Sequence, residues 1–266
     1  MPKIHALEAR DPTRRPHGTR WTLALAALAV ATHWPSLHTG LFADDLVQHH
    51  VLEHGTFGPT LRPWALFDFG TALAFEQDDA AGAGVPWWTA QDWKARFWRP
   101  VASLWIWAEH ALLPCPRGHQ SAALVLFAVL VAIFHRLALR LGLSLGAATT
   151  AAGLFSLQAS THLPVAWTAN RNSLLEAVFG SLALFVALTP VQRPERPWLA
   201  LARPMGALLL AWLATLSKES GVLFFPLLAW ALASRPGPAD RTQGSHARRG
   251  MRWRALAAAL ALGSLA

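Results

Sequence analysis

Long, nearly uncharged apolar blocks constrain this chain more than any other feature. They run from Trp21 to Leu41, His119 to Leu139, Leu145 to Leu163, Ser173 to Leu188, Leu199 to Leu216 and Gly221 to Ala233. A bilayer core of about 30 Å is crossed by about 20 apolar residues in a helix, which satisfies its backbone polar groups internally. With 53% hydrophobic and 14% charged residues, the pattern predicts an all-α integral membrane protein, a multi-span bundle with six complete transmembrane helices. A seventh apolar stretch begins at Ala255 and stops at Ala266 after 12 residues, too few for a span, so the transmembrane domain expected over 21–266 reads as incomplete at its C-terminus. Residues 1–20 form a basic N-terminus, and the run that follows is longer than a signal-peptide core, so it reads as a retained first helix.

The net charge of +8 would suggest nucleic acid in a soluble protein, but the basic residues are sorted by loop. Residues 1–20, 136–144, 190–204 and 234–254 carry 16 Lys plus Arg, and the alternate loops carry 7. That asymmetry predicts a cytoplasmic N-terminus, an external loop over 43–118 and a bacterial inner (cell) membrane as the location, with no nucleic-acid partner. Most of the acidic residues, among them Asp44, Asp45, Glu109 and Glu219, fall on the external side. One cysteine, Cys115, excludes an internal disulfide.

The external loop of about 75 residues is long enough to carry function and is rich in tryptophan: Trp64, Trp87, Trp88, Trp93, Trp98, Trp105 and Trp107. Tryptophan favours the membrane–water boundary. Residues Arg99 to Leu113 read as an interfacial helix, since Glu109 and His110 sit poorly in a full span. QDDAAGAGVPWW reads as a connection within the loop.

Asp44 and Asp45 sit where the first apolar block ends. Helix termination alone explains such a pair, whereas at a low-dielectric boundary either carboxylate can act as a general base. His49, His50 and His54 follow at helical spacing and are candidate ligands for a divalent metal ion, although interfacial histidines are common; the pattern requires no cofactor. Arg171, flanked by Asn170 and Asn172, can grip a phosphate bidentately or simply snorkel to headgroups. Lys218 and Glu219, in the short SKES turn, are pinned between two apolar helices. Packed helices would bring these loop ends together. Carboxylate, cations and a lipid-facing entrance suit sugar transfer from a polyprenyl-phosphate-linked donor to an acceptor hydroxyl on a protein, glycan or lipid.

The order of four segments resembles the GT-C superfamily of integral membrane glycosyltransferases, especially the branch of the protein O-mannosyltransferases and the tetratricopeptide-repeat membrane mannosyltransferases. These segments are FADD at 42–45, FWRPVASLWIWAEHAL at 97–112, VAWTANRNSLL at 165–175 and LSKESGVLFFPLLAW at 216–230. The resemblance implies that Asp44 or Asp45 is the catalytic base. It implies too that Arg99, Arg171 and Lys218, with Glu219 beside them, contact the donor phosphate. Relatives often carry a His-Pro pair ahead of the Val-Ala-Trp segment, where this chain has Gln158 and Ala159 with a shifted His162 and Pro164. The competing expectation is a non-catalytic transport or scaffold protein of envelope glycan assembly. Transporters concentrate polar groups near the bilayer midplane, while the ionisable residues here crowd one surface.

Overall fold

The computed structural model describes residues 16–55, 61–71, 90, 94–189 and 197–233. Their helices are α1 (Pro16–His33), α2 (Asp44–His54), α3 (Pro100–Leu112), α4 (Pro116–Arg140), α5 (Leu145–Leu157), α6 (His162–Ala166), α7 (Arg171–Leu188), α8 (Pro197–Ser217) and α9 (Phe224–Ala233). Proline at the first position starts α3 and α4, where its missing N–H costs nothing. The α4–α5 corner follows from three residues. Gly142 takes φ +91°, Leu143 N–H reaches back to Ala138 O at 3.2 Å, and the Ser144 hydroxyl accepts from Ala147 N–H at 3.2 Å. A Schellman stop thus runs directly into a capped start.

The fold is mainly helical, as expected, but two findings correct the sequence reading. First, a two-stranded antiparallel ribbon, β1 (Asp68–Thr71) with β2 (Lys94–Arg96), sits in the loop expected to be helical or irregular. Asp68 opposes Arg96 there and accepts from its Nε and Nη2 at 2.8 and 2.9 Å. Second, among the described residues two helical stretches, Pro116–Arg140 and Thr168–Leu188, are long and apolar enough to cross a membrane by themselves, rather than six. Leu145–Leu157, Leu201–Ser217 and Glu219–Leu232 are apolar but shorter. The third expected span breaks because Gln158 turns extended after Leu157, and 3-10 turns at 159–161 and 168–170 lead through α6 into α7. The 255–266 stretch, the QDDAAGAGVPWW segment, and Trp87, Trp88 and Trp93 lie outside the described residues.

Helix α7 lies against α4 on one side and against α8 and α9 on the other. The α7–α8–α9 seam is built from Ala183, Ala187, Ala207, Ala211 and Ala231, all fully buried, so the helix axes approach closely. Larger side chains, among them Ile106, Phe127, Val131 and Leu175, fill the core between α1, α3, α4 and α7. Beside this apolar core, charged and polar groups lie inside and large apolar side chains lie outside. Arg171, Glu109, His119, Gln120 and Asn172 are buried while Leu104, Trp107, Val125, Val129, Leu154, Leu209 and Trp212 are exposed. On α3, Ser103 and Glu109 face in beside Ala102 and Ile106, while Leu104, Trp107 and Leu112 face out.

Candidate functional site

Helix α2 begins on a strained turn. Ala43 has φ +52° and ψ −129°, a conformation that suits glycine, and hydrogen bonds from Asp45 N–H to Phe42 O and from Leu46 N–H to Ala43 O close it. The turn sends the two aspartates in different directions. Asp45 is 2% exposed. Its carboxylate accepts from the backbone N–H groups of Ala169 (2.5 Å), Thr168 (3.3 Å) and Phe42 (3.4 Å), which ties α2 to the lead-in of α7. Burial pushes the Asp45 carboxyl up; those three donors and the nearby Arg171 charge oppose the shift. Asp44 is half-buried, and no hydrogen bond or ion pair reaches it among the described residues. Burial alone raises its pKa above the ordinary carboxylate value.

Arg171 is fully buried. Its Nε lies 3.0 Å from Glu109 Oε1, and its Nη2 donates to Glu109 Oε2 at 3.2 Å and to the His119 carbonyl at 2.9 Å. Glu109 also accepts from Trp105 Nε1 at 2.5 Å, and His119 Nδ1 lies 3.5 Å away. The sequence-level assignment of Arg171 to a phosphate thus meets an arginine already held by an internal carboxylate. Glu109, Trp105 and His119 were not singled out as site residues from the sequence. The available signal was an acid within the apolar run of α3 and a histidine at the start of the apolar run of α4.

Lys218, Glu219 and Arg99 gather on another part of the same assembly. Arg99 donates to Glu219 from Nε at 3.0 and 3.1 Å and from Nη2 at 2.8 Å, and its guanidinium lies over the rings of Phe97 and Phe67, 4.5 and 5.2 Å from their centroids. Lys218 Nζ donates to Ser173 Oγ at 3.1 Å, and Ser173 in turn donates to Asn170 Oδ1 at 2.6 Å. Glu176, one turn further along α7, is hydrogen-bonded to Ser220 and feels the charges of both Lys218 and Arg99. For Glu219, partial burial favours the acid, but the Arg99 hydrogen bonds and the Arg99 and Lys218 charges outweigh it and hold the carboxyl below its ordinary value.

The histidines of α2 separate. His49 Nε2 pairs with Glu53 Oε1 at 3.0 Å and its ring meets His110 at 5.0 Å, whereas His50 and His54 stack on each other at 4.2 Å. Adjacent helical residues point in different directions, and among the described residues no three His, Cys, Asp or Glu side chains are grouped to hold a metal ion. A cavity lined by Asp45, Gln48, His49, His119 and Thr168 has room for about one water molecule, too little for a sugar. No family model matches the chain, and no curated protein or solved structure is significantly similar to it.

Proposed function

We propose that this chain is the membrane-embedded part of a glycosyltransferase of the GT-C type, moving a sugar from a polyprenyl-phosphate donor to an acceptor hydroxyl on the outer face of a bacterial cell membrane. One observation carries the reading: a connected set of polar contacts joins the four segments that bear the candidate chemistry. Asp45 bonds the 168–169 turn, Arg171 in the next turn bonds Glu109, Arg99 at the start of the same α3 bonds Glu219, and the neighbouring Lys218 returns to Ser173 on α7. Four stretches far apart in sequence thus share one end of the bundle, where a lipid-borne phosphate and an acceptor can meet. The outward apolar faces and inward charges support membrane embedding beyond the two long helices, because lipid accepts Leu104 and Trp107 but not Glu109 or Arg171.

In this proposal Asp44 is the base. It is free of partners among the described residues and its raised pKa makes it a better proton acceptor than an ordinary carboxylate. It takes the proton of the acceptor hydroxyl as that oxygen bonds to the anomeric carbon, while the bond from that carbon to the phosphate oxygen breaks and the electron pair leaves with the lipid phosphate. Lys218 and Arg99 stabilise the departing charge. Asp45 and Arg171 are positioning residues that hold α2 and α7 together. The test is sugar transfer from a short-chain prenyl-phosphate donor in proteoliposomes. Asp44→Asn is expected to abolish transfer, and transfer retained in Asp44→Asn would sink the assignment.

A further inference from the structure

Arg99, unlike the fully buried Arg171, is held in an ion pair that reaches solvent. Two of its nitrogens engage one carboxylate, that of Glu219, in the forked geometry that a guanidinium offers equally to a phosphate. The two ends of the pair differ in freedom. The Arg99 side chain is 13% exposed and is backed by Phe97 and Phe67, whereas the Glu219 side chain is 50% exposed. The backbone beneath Glu219 cannot yield easily, because Gly221 packs so closely on the Ala214–Thr215 peptide of α8 that a Cβ there would overlap it. If the pair opens, the Glu219 side chain swings out and the guanidinium stays.

The geometry points to Glu219 as an internal latch on an anion subsite: its carboxylate occupies the Arg99 fork until a phosphoryl group displaces it. The inference rests on the proposed function for the identity of the ligand, a phosphate ester carried on a prenyl lipid. Charge bookkeeping makes displacement plausible in energy. In the resting site the Glu219 carboxylate fills the Arg99 fork and offsets its charge there, so an anion meets no open guanidinium. Moving one carboxylate into solvent uncovers a positive site beside Lys218, which the Ser173 hydroxyl already steadies. A neutral headgroup gains nothing from that exchange, so the latch selects for charge.

Binding to the full 266-residue chain in nanodiscs of neutral lipid tests this, with a two-isoprene prenyl phosphate, the matching prenyl alcohol and inorganic phosphate as probes. Glu219→Gln and Glu219→Ala are both expected to bind prenyl phosphate about three- to tenfold more tightly than wild type, the range set by a partly exposed bidentate pair. The gain should vanish in Arg99→Gln/Glu219→Gln, and prenyl alcohol should bind all variants alike. Unchanged or weaker phosphate binding in both Glu219 variants overturns the latch, as does a gain that survives loss of Arg99. A gain with inorganic phosphate and none with prenyl phosphate supports the latch and counts against the lipid-borne donor. Absence of sugar transfer alongside the expected binding pattern leaves the latch standing and counts against the enzyme reading.

Discussion

Replacing Arg171 by methionine is the sharpest perturbation of this assembly. Arg171 is fully buried and Glu109 is 5% exposed, so the Arg171→Met variant leaves a carboxylate in the interior with Trp105 Nε1 as its one close donor and His119 at 3.5 Å. Breaking a buried pair from one side costs about 3–5 kcal/mol, because the surviving charge keeps its desolvation penalty without its partner. Glu109→Leu strands the guanidinium in the same way, with the His119 carbonyl as its remaining close acceptor. The double variant Arg171→Met/Glu109→Leu removes both charges, and replacing a whole buried pair by apolar groups is close to neutral, within about 1–2 kcal/mol. Asp45 tolerates the change because three backbone donors hold it independently of Arg171. For a chain of this size 1 kcal/mol moves Tm by about 2–4 °C; each single variant should therefore melt about 10 °C lower in detergent, with the double variant near wild type. A double variant as unstable as the two losses added together would refute the pairing of Arg171 with Glu109.

Three further outcomes are expected. Ala43→Gly relieves the positive φ at the start of α2 and should raise stability by about 1 kcal/mol in thermal unfolding, since a sparsely populated backbone conformation costs a non-glycine residue about 1–3 kcal/mol and glycine gives part of that back as unfolded-chain entropy. Gly180→Ala places a methyl against the Phe224 ring where α7 crosses α9 and should cost about 1–3 kcal/mol as overpacking, with Phe224→Leu recovering part of the loss. Sugar transfer should fall as pH drops through the pKa of Asp44, because the ionised carboxylate is the active form. Burial raises that pKa, so the acid limb should lie above the ordinary carboxylate midpoint of about pH 3.9 and be missing from any residual rate of Asp44→Asn.

The helices were legible where composition alone decides them. Helix α4 spans Pro116–Arg140 and contains the whole expected His119–Leu139 block, and α7 likewise covers Ser173–Leu188. The end of α5 was not legible, because apolar residues continue through Leu163 and only the extended backbone at Gln158 separates the helix from the following turns. Strands of three and four residues around Asp68 and Arg96 leave no periodic trace. The site divides in the same way. That Asp44, Asp45, Arg99, Lys218 and Glu219 lie at helix ends was readable, but which cation meets which acid depends on packing between distant segments. Arg99 finds Glu219 at a separation of 120 residues, and Arg171 finds Glu109 at 62. The contrast between Asp44 and Asp45 was also hidden, since the positive φ at Ala43 that separates them belongs to a residue with no sequence preference for it.

The distance along the chain between Glu109 and Arg171 also has a consequence in time. Glu109 precedes its counterion by 62 residues, which at about 5–20 residues per second of translation is an interval of roughly 3–12 s. During it α3 and α4 have been synthesised without the guanidinium that Glu109 meets in the folded chain. The pair can close only once Arg171, at the head of α7, has emerged. The inner pair thus sets an order: contact between α3 and α7 follows the synthesis of α4, which lies between them in sequence.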